Sequence, residues 1–130
     1  MTSDPPHLEI ISDSNFESRV LRSETPVVLE FWADWCGACH INEPILKEME
    51  SRHRGRIKIC RIDLDENSRV PGEFGIHHLP TLLFFREGCV VDRVADLIPR
   101  CELAQKIETL LATNDEPPLS RTETEGEEEQ

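Results

Sequence analysis

The chain has 130 residues, of which 31% are charged, and its formal net charge at pH 7 is −12. This length fits a single domain. The acidic balance argues against nonspecific nucleic-acid binding, and no apolar run approaches the length of about 18 residues that a transmembrane helix needs. Residues 1–7 lack the charged start and apolar stretch of a secretory signal, so the sequence as it stands predicts a cytoplasmic protein.

The first predicted elements are a strand, a helix and a second strand. Residues 8–11 predict an edge strand. Ser14 and Glu17 have the spacing of a capping box, which predicts a helix that ends near Leu21. The apolar run Val27–Trp32 predicts a strand buried on both faces, as in parallel sheets.

Residues 36–54 predict a longer helix. Its apolar stripe consists of Ile41, Ile45, Leu46 and Met49. On the other side, Glu43 and Lys47 are spaced for a favourable exposed ion pair. Pro44 lies inside the helix and predicts a kink, because it removes one backbone donor.

The second half of the domain repeats the alternation of strands and helices and then adds a β-hairpin and a last helix. Strands are predicted over residues 57–62, 81–85 and 90–94, with Glu87-Gly88 as a tight turn between the last two. Residues 67–73 predict a short helix broken by Pro71-Gly72. A last helix begins near Pro99 and buries Leu103, Ile107, Leu110 and Leu111.

The resulting order, β-α-β-α-β-α-β-β-α, predicts an α/β fold with a mixed sheet and helices on both faces. Residues 113–130 contain seven acidic side chains and one basic side chain. Such a segment cannot bury enough apolar surface to offset its ordering. We therefore predict a disordered N-terminus over residues 1–7, a domain over residues 8–112 and an acidic disordered tail over residues 113–130.

The candidate chemistry lies in Trp35-Cys36-Gly37-Ala38-Cys39-His40, where a buried strand is followed by a helix. The unpaired N–H groups and the dipole at a helix N-terminus favour thiolate, so the pKa of Cys36 should fall toward about 7. Cys39 lies one helical turn later and can attack a mixed disulfide formed at Cys36. Gly37 leaves space for a substrate backbone to approach.

Two other interpretations of this motif remain open but are weaker. Half a zinc site would need a second pair of ligands, and the sequence has no second C-x-x-C. Haem attachment matches the C-x-x-C-H spacing, with His40 as the axial ligand. It normally accompanies export, and Met49, the one internal methionine, belongs to the apolar stripe of the same helix.

The sequence from Val27 to Leu111 resembles thioredoxin. The matching segments, in chain order, are residues 31–39, 44–46, 62–65, 74–76, 79–82 and Gly88. The resemblance implies the thioredoxin fold, an exposed nucleophile at Cys36 and a buried resolving thiol at Cys39. It also implies a cis peptide at Leu79-Pro80 beside the active disulfide, and substrate backbone paired next to Leu79. Trp35 is expected to cover the site as a partly exposed substrate contact, together with Gly37 and Ala38.

Glu30 interrupts the apolar strand six residues before Cys36. A buried carboxylate should hold its proton more tightly than usual. Thioredoxins have Asp at the matching position, which implies that Glu30 is a general base for Cys39. Arg61 matches a position where the family usually has Lys. Because Arg stays protonated, a Glu30–Arg61 pair would keep Glu30 ionised and weaken its role as a proton store.

Two departures from the family pattern concern the redox potential and the choice of substrate. Ala38 replaces the usual Pro, which predicts a potential less reducing than the roughly −270 mV of thioredoxin. Asp96 falls near a Gly of the substrate groove, so its charge is expected to disfavour acidic partners. Of the other cysteines, Cys60 is predicted to be a buried hydrophobe, while Cys89 and Cys101 are candidates for exposed regulatory thiols.

These features predict a protein-disulfide reductase that works as a monomer. Its substrates would be protein disulfides, and its electrons would come from a reductase of the thioredoxin-reductase type. No cofactor and no metal are predicted. The alternative is a thioredoxin-fold binding module in which redox turnover is incidental. Such a module would hold its partner equally well with Ser at both Cys36 and Cys39.

Overall fold

The computed structural model describes residues 8–112. The predicted N-terminal segment 1–7 and the predicted acidic tail 113–130 lie outside the described residues. Five strands form one sheet in the order β1-β3-β2-β4-β5. They are β1 (Glu9–Ile11), β2 (Val27–Trp32), β3 (Lys58–Asp63), β4 (Thr81–Arg86) and β5 (Cys89–Ala95).

Three helices and one helical turn flank this sheet. The helices are α1 (Gly37–Arg52), α2 (Arg69–Glu73) and α3 (Arg100–Ala112), and the turn is Glu17–Leu21. β1, β3 and β2 run parallel, and β4 is antiparallel to both β2 and β5. The predicted element order, the mixed sheet and the edge position of β1 are confirmed.

Each face of the sheet has its own core because side chains alternate along a strand. On the first face, Val28 of β2 packs with Leu46 of α1 and Ile107 of α3. We call this the α1 face. On the second face, Phe31 of β2 packs with Val20 of the helical turn and Val70 of α2. We call this the α2 face.

The predicted capping box at Ser14 and Glu17 is wrong. The backbone N–H of Ser12 donates to Asn15 Oδ1 at 2.7 Å, and the Asn15 N–H donates to Ser12 Oγ at 3.3 Å. The reciprocal cap therefore forms two residues earlier, directly after β1. The turn that follows is wide, since the Arg22 N–H donates to the carbonyl of Glu17 at 3.0 Å.

The predicted apolar stripe of α1 is also partly wrong. Ile41 is 63% exposed, whereas Cys39, Asn42, Leu46 and Met49 are buried. These four residues are three or four positions apart and lie on one face of the helix. One residue rotates a helix by about 100°, so Ile41 points away from the sheet although it neighbours Asn42 in sequence.

Pro71 does not break α2 as predicted. It is the third residue of the helix, where a backbone N–H has no partner within the helix in any case. The preceding N–H groups of Ser68, Arg69 and Val70 are capped by a residue that is distant in sequence. They donate to the Asp13 carboxylate at 3.1, 3.0 and 2.9 Å.

The predicted hairpin turn is confirmed. Glu87 and Gly88 both have positive φ, at 53° and 82°, as the tight turns that match the twist of a hairpin require. The antiparallel register then pairs Thr81 with Phe31 of β2 on one side and with Ala95 of β5 on the other. The end of β2, the start of β4 and the end of β5 therefore meet at one edge of the sheet.

No helix among residues 8–112 is long and apolar enough to cross a membrane.

Candidate active site

Cys36 and Cys39 form a disulfide at this edge, with their Cα atoms 5.3 Å apart. Cys36 is the N-cap of α1, and its Sγ accepts the backbone N–H of Cys39 at 3.1 Å. The first turn of α1 contains no acidic residue. A thiolate at Cys36 would therefore face a backbone donor and the positive end of the helix dipole.

The two sulfur-bearing residues differ in exposure. Cys36 retains 7% of its surface, whereas Cys39 retains none. An incoming disulfide can therefore reach Cys36 more readily than Cys39. Cys36 is therefore buried in the disulfide form rather than exposed as the resemblance implies, although it is less buried than Cys39, which is fully buried as expected.

The peptide bond between Leu79 and Pro80 is cis, as the resemblance implies. The Leu79 side chain packs against the small cluster that contains Cys36 and Cys39. The Pro80 carbonyl accepts the backbone N–H of Asp96 at 2.7 Å. The residue before the proline is therefore placed beside the disulfide, and Asp96 is placed beside the proline.

Asp96 adopts a φ of 81°, in the left-handed region that glycine enters most easily. This backbone conformation agrees with the resemblance, in which a Gly of the substrate groove lies near this position. The side chain is exposed, and its Oδ1 accepts the Leu97 N–H at 2.8 Å. A carboxylate is therefore presented at the rim of the site.

The remaining predicted contacts line the surface around Cys36. Trp35 is 67% exposed, and its Nε1–H donates to Asp65 Oδ1 at 3.2 Å. Gly37 is exposed and a Cβ there would meet nothing within 4 Å, while Ala38 is half-buried. His40 is exposed, and its Nε2 lies 2.8 Å from the Asp34 carbonyl oxygen.

Glu30 is completely buried on the α1 face. Arg61 of the neighbouring strand donates from Nε to Glu30 Oε1 at 3.1 Å, and its Nη2 lies 3.0 Å from the same oxygen. The Arg61 guanidinium also lies over the Trp32 ring, 4.0 Å from its centroid. The structure therefore brings together the predicted acid and the predicted cation.

Burial raises the pKa of Glu30 above its ordinary value, because it disfavours the charged form. The charge of Arg61 and the hydrogen bonds from Asn42 and Arg61 offset part of this effect. The direction agrees with the prediction that this carboxylate holds its proton more tightly than usual. The ion pair with Arg61 reduces the rise but does not reverse it.

Two residues of this cluster were not predicted from the sequence. Asn42 is buried and its Nδ2 donates to Glu30 Oε2 at 3.4 Å. Glu43 forms the predicted pair with Lys47 at 3.0 Å but is half-buried rather than exposed, and its Oε1 also lies 3.6 Å from Arg61 Nη1. The available signal was spacing, since Asn42 lies three residues after Cys39 and shares its helix face.

The other cysteines and histidines lie outside this cluster. Cys60 is buried in β3, where burial raises the pKa of its thiol. Cys89 and Cys101 are free and exposed, and His77 and His78 are exposed before Leu79. Within residues 8–112, no group of three or more His, Cys, Asp or Glu side chains is arranged to hold a metal ion.

Comparison with known proteins agrees with this geometry. The Thioredoxin family profile matches residues 7–109. Thioredoxin 1 of Nostoc sp. (strain PCC 7120) is 39% identical over 98 residues, covering 75% of this chain and 92% of the relative. Thioredoxin of Haemophilus influenzae is 39% identical over 97 residues, covering 75% and 91%. The M-type chloroplastic thioredoxin of Pisum sativum is 37% identical over 101 residues, covering 78% and 59%. The chain therefore belongs to the thioredoxin family of dithiol–disulfide oxidoreductases.

Proposed function

We propose that this protein reduces the disulfides of other proteins, with Cys36 as the attacking thiolate and Cys39 as the resolving thiol. The observation that supports this assignment most directly is the difference between the two cysteines. Cys36 caps α1 and keeps some exposure, whereas Cys39 is fully buried one turn later. A thiolate is the nucleophile in disulfide exchange, and the helix N-terminus stabilises it at Cys36.

The proposed reaction has two exchange steps. Cys36 thiolate attacks a substrate disulfide, so that a Cys36–substrate bond forms and the first substrate sulfur leaves as thiolate. Cys39 then loses its proton and attacks the Cys36 sulfur, which forms the Cys36–Cys39 disulfide and releases the second substrate sulfur as thiolate. Two electrons pass from the protein dithiol to the substrate.

In this proposal Glu30 is the general base that takes the proton of Cys39. Its buried carboxylate lies under α1, where its Oε2 accepts a hydrogen bond from Asn42, three residues after Cys39. A raised pKa suits this role, because a base near the operating pH can both accept and return a proton. Arg61 supports Glu30 by keeping the buried carboxylate paired with a cation.

The substrate is proposed to dock along the surface formed by Trp35, Gly37, Ala38 and Leu79, next to Pro80, which is itself buried. In this proposal an extended backbone pairs beside Leu79, whose side chain packs against the cluster that contains the disulfide. Asp96 adds a negative charge next to Pro80. Its charge disfavours acidic segments and favours basic ones around the substrate disulfide.

The partners and setting follow from the same chemistry. A thioredoxin-reductase type of enzyme is proposed to return electrons to the Cys36–Cys39 disulfide. Cys36, Cys39 and Glu30 belong to one chain, and a monomer is proposed to carry out the reaction. The exposed thiols of Cys89 and Cys101 suit a reducing compartment such as the cytoplasm.

Trapping the mixed disulfide tests this assignment. Reduced Cys39→Ser protein should form a stable disulfide between Cys36 and insulin, detected by mass and released by dithiothreitol. Cys36→Ser protein should form none and should not reduce insulin. Stable trapping by Cys36→Ser instead would reverse the two roles. Reduction by neither the native protein nor its variants, with retained partner binding, would favour the binding-module alternative.

The direction of electron flow needs a separate measurement. Equilibration of the Cys36–Cys39 pair in glutathione buffers, followed by thiol trapping, gives the potential. A value near or below roughly −250 mV supports a reductase, because it is close to the poise of thioredoxin. A value near roughly −180 mV would assign the protein to oxidation or isomerisation instead.

A further inference from the structure

The buried carboxylate of Glu30 does not act with Arg61 alone. Both of its oxygens have partners, since Oε1 accepts from Arg61 and Oε2 accepts from Asn42. Arg61 in turn lies between two carboxylates, 3.0 Å from Glu30 and 3.6 Å from Glu43. Asn42 and Glu43 are successive residues of α1, the helix that begins at the redox cysteines.

Arg61 is shared between two acids when both of them are ionised. One guanidinium, from Arg61, faces two carboxylates, from Glu30 and Glu43. Glu43 is the more exposed of the two acids and has a second partner, Lys47, at 3.0 Å. The hydrogen bond from Lys47, despite some burial, and the charges of Arg61 and Lys47 hold the pKa of Glu43 below its ordinary value. Glu43 therefore stays ionised at neutral pH and competes with Glu30 for Arg61.

The two α1 residues act on Glu30 in opposite senses. A hydrogen bond donated to an ionised carboxylate stabilises the charged form, so Asn42 favours Glu30 as the anion. A neighbouring negative charge disfavours that form, so Glu43 favours Glu30 as the neutral acid. The groups that face Glu30 are thus Arg61 from β3 and Asn42 and Glu43 from α1.

We propose that Asn42 and Glu43 are positioning residues that set, in opposite directions, how readily Glu30 takes the proton of Cys39. This inference rests on the proposed function, in which Glu30 is the base for the resolving step. When Cys39 sulfur attacks Cys36, the Cys39 proton passes to the Glu30 carboxylate and the substrate sulfur leaves as thiolate. Arg61 then keeps Glu43 as an ionised partner, so its guanidinium is not left without a counter-charge when Glu30 becomes neutral.

The two residues can be separated by substitution. Asn42→Leu keeps a similar volume and removes the donor, and Glu43→Gln removes the charge with little change in shape. Glu48→Gln is the matched control, because Glu48 lies on α1 but pairs with Arg100 and Arg52 outside the cluster. If Asn42→Leu does not fold, Asn42→Ala removes the same donor with less bulk.

Two readouts are needed for each variant. The first is the carbon-13 titration of the Glu30 carboxyl group in the oxidised protein, assigned by its loss in Glu30→Gln. The second is the pH dependence of insulin reduction by the dithiol form. Asn42→Leu should move the Glu30 midpoint and the acid limb of the rate to higher pH, and Glu43→Gln should move both to lower pH. At a fixed pH on that limb, we expect the rates to change about threefold in opposite directions.

Each result is decisive. Glu30 titration midpoints that stay unchanged, or that move in the same direction in both variants, overturn the proposal. An equal shift of the Glu30 midpoint in Glu48→Gln also overturns it. Opposite shifts of Glu30 without matching shifts of the rate also overturn it, because Glu30 would then not serve Cys39. Insulin reduction that persists in Cys36→Ser would overturn the proposed function instead, and the titration of Glu30 does not depend on that result.

Discussion

The two faces of the sheet show how one strand serves both stability and chemistry. On the α2 face, β2 contributes Val27, Leu29 and Phe31 to a cluster of buried apolar side chains. Beneath α2, the rings of Phe16, Phe74 and Phe85 meet edge to face with centroids 5.8 to 5.9 Å apart. Edge-to-face aromatic contacts and apolar burial both stabilise the folded chain.

The α1 face differs because the same strand places Val28, Glu30 and Trp32 there. Glu30 is as deeply buried as its apolar neighbours, yet burying a charged pair rarely stabilises a fold compared with apolar side chains of similar volume. In the proposed reaction, this carboxylate lies under the helix that begins at Cys36 and takes the proton of Cys39. The two faces therefore differ, because the α2 face stabilises the fold through apolar packing, whereas the α1 face retains a costly buried carboxylate that we propose as the base for Cys39.

Truncating the aromatic core should produce the largest effect on stability. Phe85→Ala removes a ring that is 1% exposed, and we expect the free energy of unfolding to fall by about 3 to 5 kcal/mol. Insulin reduction per folded molecule should stay unchanged, because the ring lies on the face away from α1. Urea unfolding followed by fluorescence measures the free energy of unfolding.

The control for this substitution is Val91→Ala at an exposed position, which should change the free energy of unfolding little. A strong loss of activity in folded Phe85→Ala protein would contradict the separation of the two faces.

Asp13 provides a smaller test on the α2 face. Asp13→Ala removes the acceptor for three backbone N–H groups at the start of α2, and we expect a loss of about 1 to 2 kcal/mol. Urea unfolding of this variant beside the exposed control Glu24→Ala measures the effect. Equal stability of the two variants would show that the cap contributes nothing.

The pH dependence of the Asp13 contribution has a defined sign. Burial opposes ionisation, but the hydrogen bonds from Val70, Arg69 and Ser68 outweigh it and lower the pKa of Asp13. The unfolded chain therefore binds the proton more readily than the folded one. The contribution of Asp13 should be present above its ordinary pKa and lost as the pH falls through the lowered value.

Glu30 should show the opposite dependence. Its pKa is raised in the folded state, so the folded chain binds the proton more readily between the ordinary and the raised value. Its contribution to stability should be present below the ordinary value and decline as the pH rises through that window. A single group changes the free energy of unfolding by at most about 1.4 kcal/mol per pH unit.

The difference in unfolding free energy between the native protein and Glu30→Gln, followed across pH, measures this decline. A difference that increases with pH would mean that the pair with Arg61, rather than burial, dominates at Glu30.

The smallest expected effect concerns the outer side of α1. Ile41→Ser changes a side chain that is 63% exposed, so we expect a change in unfolding free energy within about 0.5 kcal/mol. Met49→Ala, on the buried face of the same helix, should cost about 2 to 5 kcal/mol. Similar costs for both would mean that α1 packs on the face first predicted from its apolar stripe.

The elements that could be predicted from sequence are those with strong local patterns. The apolar run of β2, the Glu87-Gly88 turn and the helix that begins at Cys36 each depend on neighbours within a few residues. The cis peptide at Leu79-Pro80 is different, because only the resemblance to a family implied it. The candidate redox pair, Cys36 and Cys39, could be predicted for the same reason as the helix, because the two residues are close in sequence.

Only the tertiary structure decided which groups meet across the fold. Residue spacing does not define which side of α1 faces the sheet, because a rotation of one residue moves the buried stripe from Ile41 to Asn42. That rotation brings Asn42 and Glu43 to the Glu30–Arg61 pair. The cap of α2 by Asp13 joins residues 55 to 57 positions apart. The sequence by itself therefore determined the elements and the reactive thiols, whereas packing decided the surroundings of Glu30, since contacts distant in sequence depend on how the elements dock.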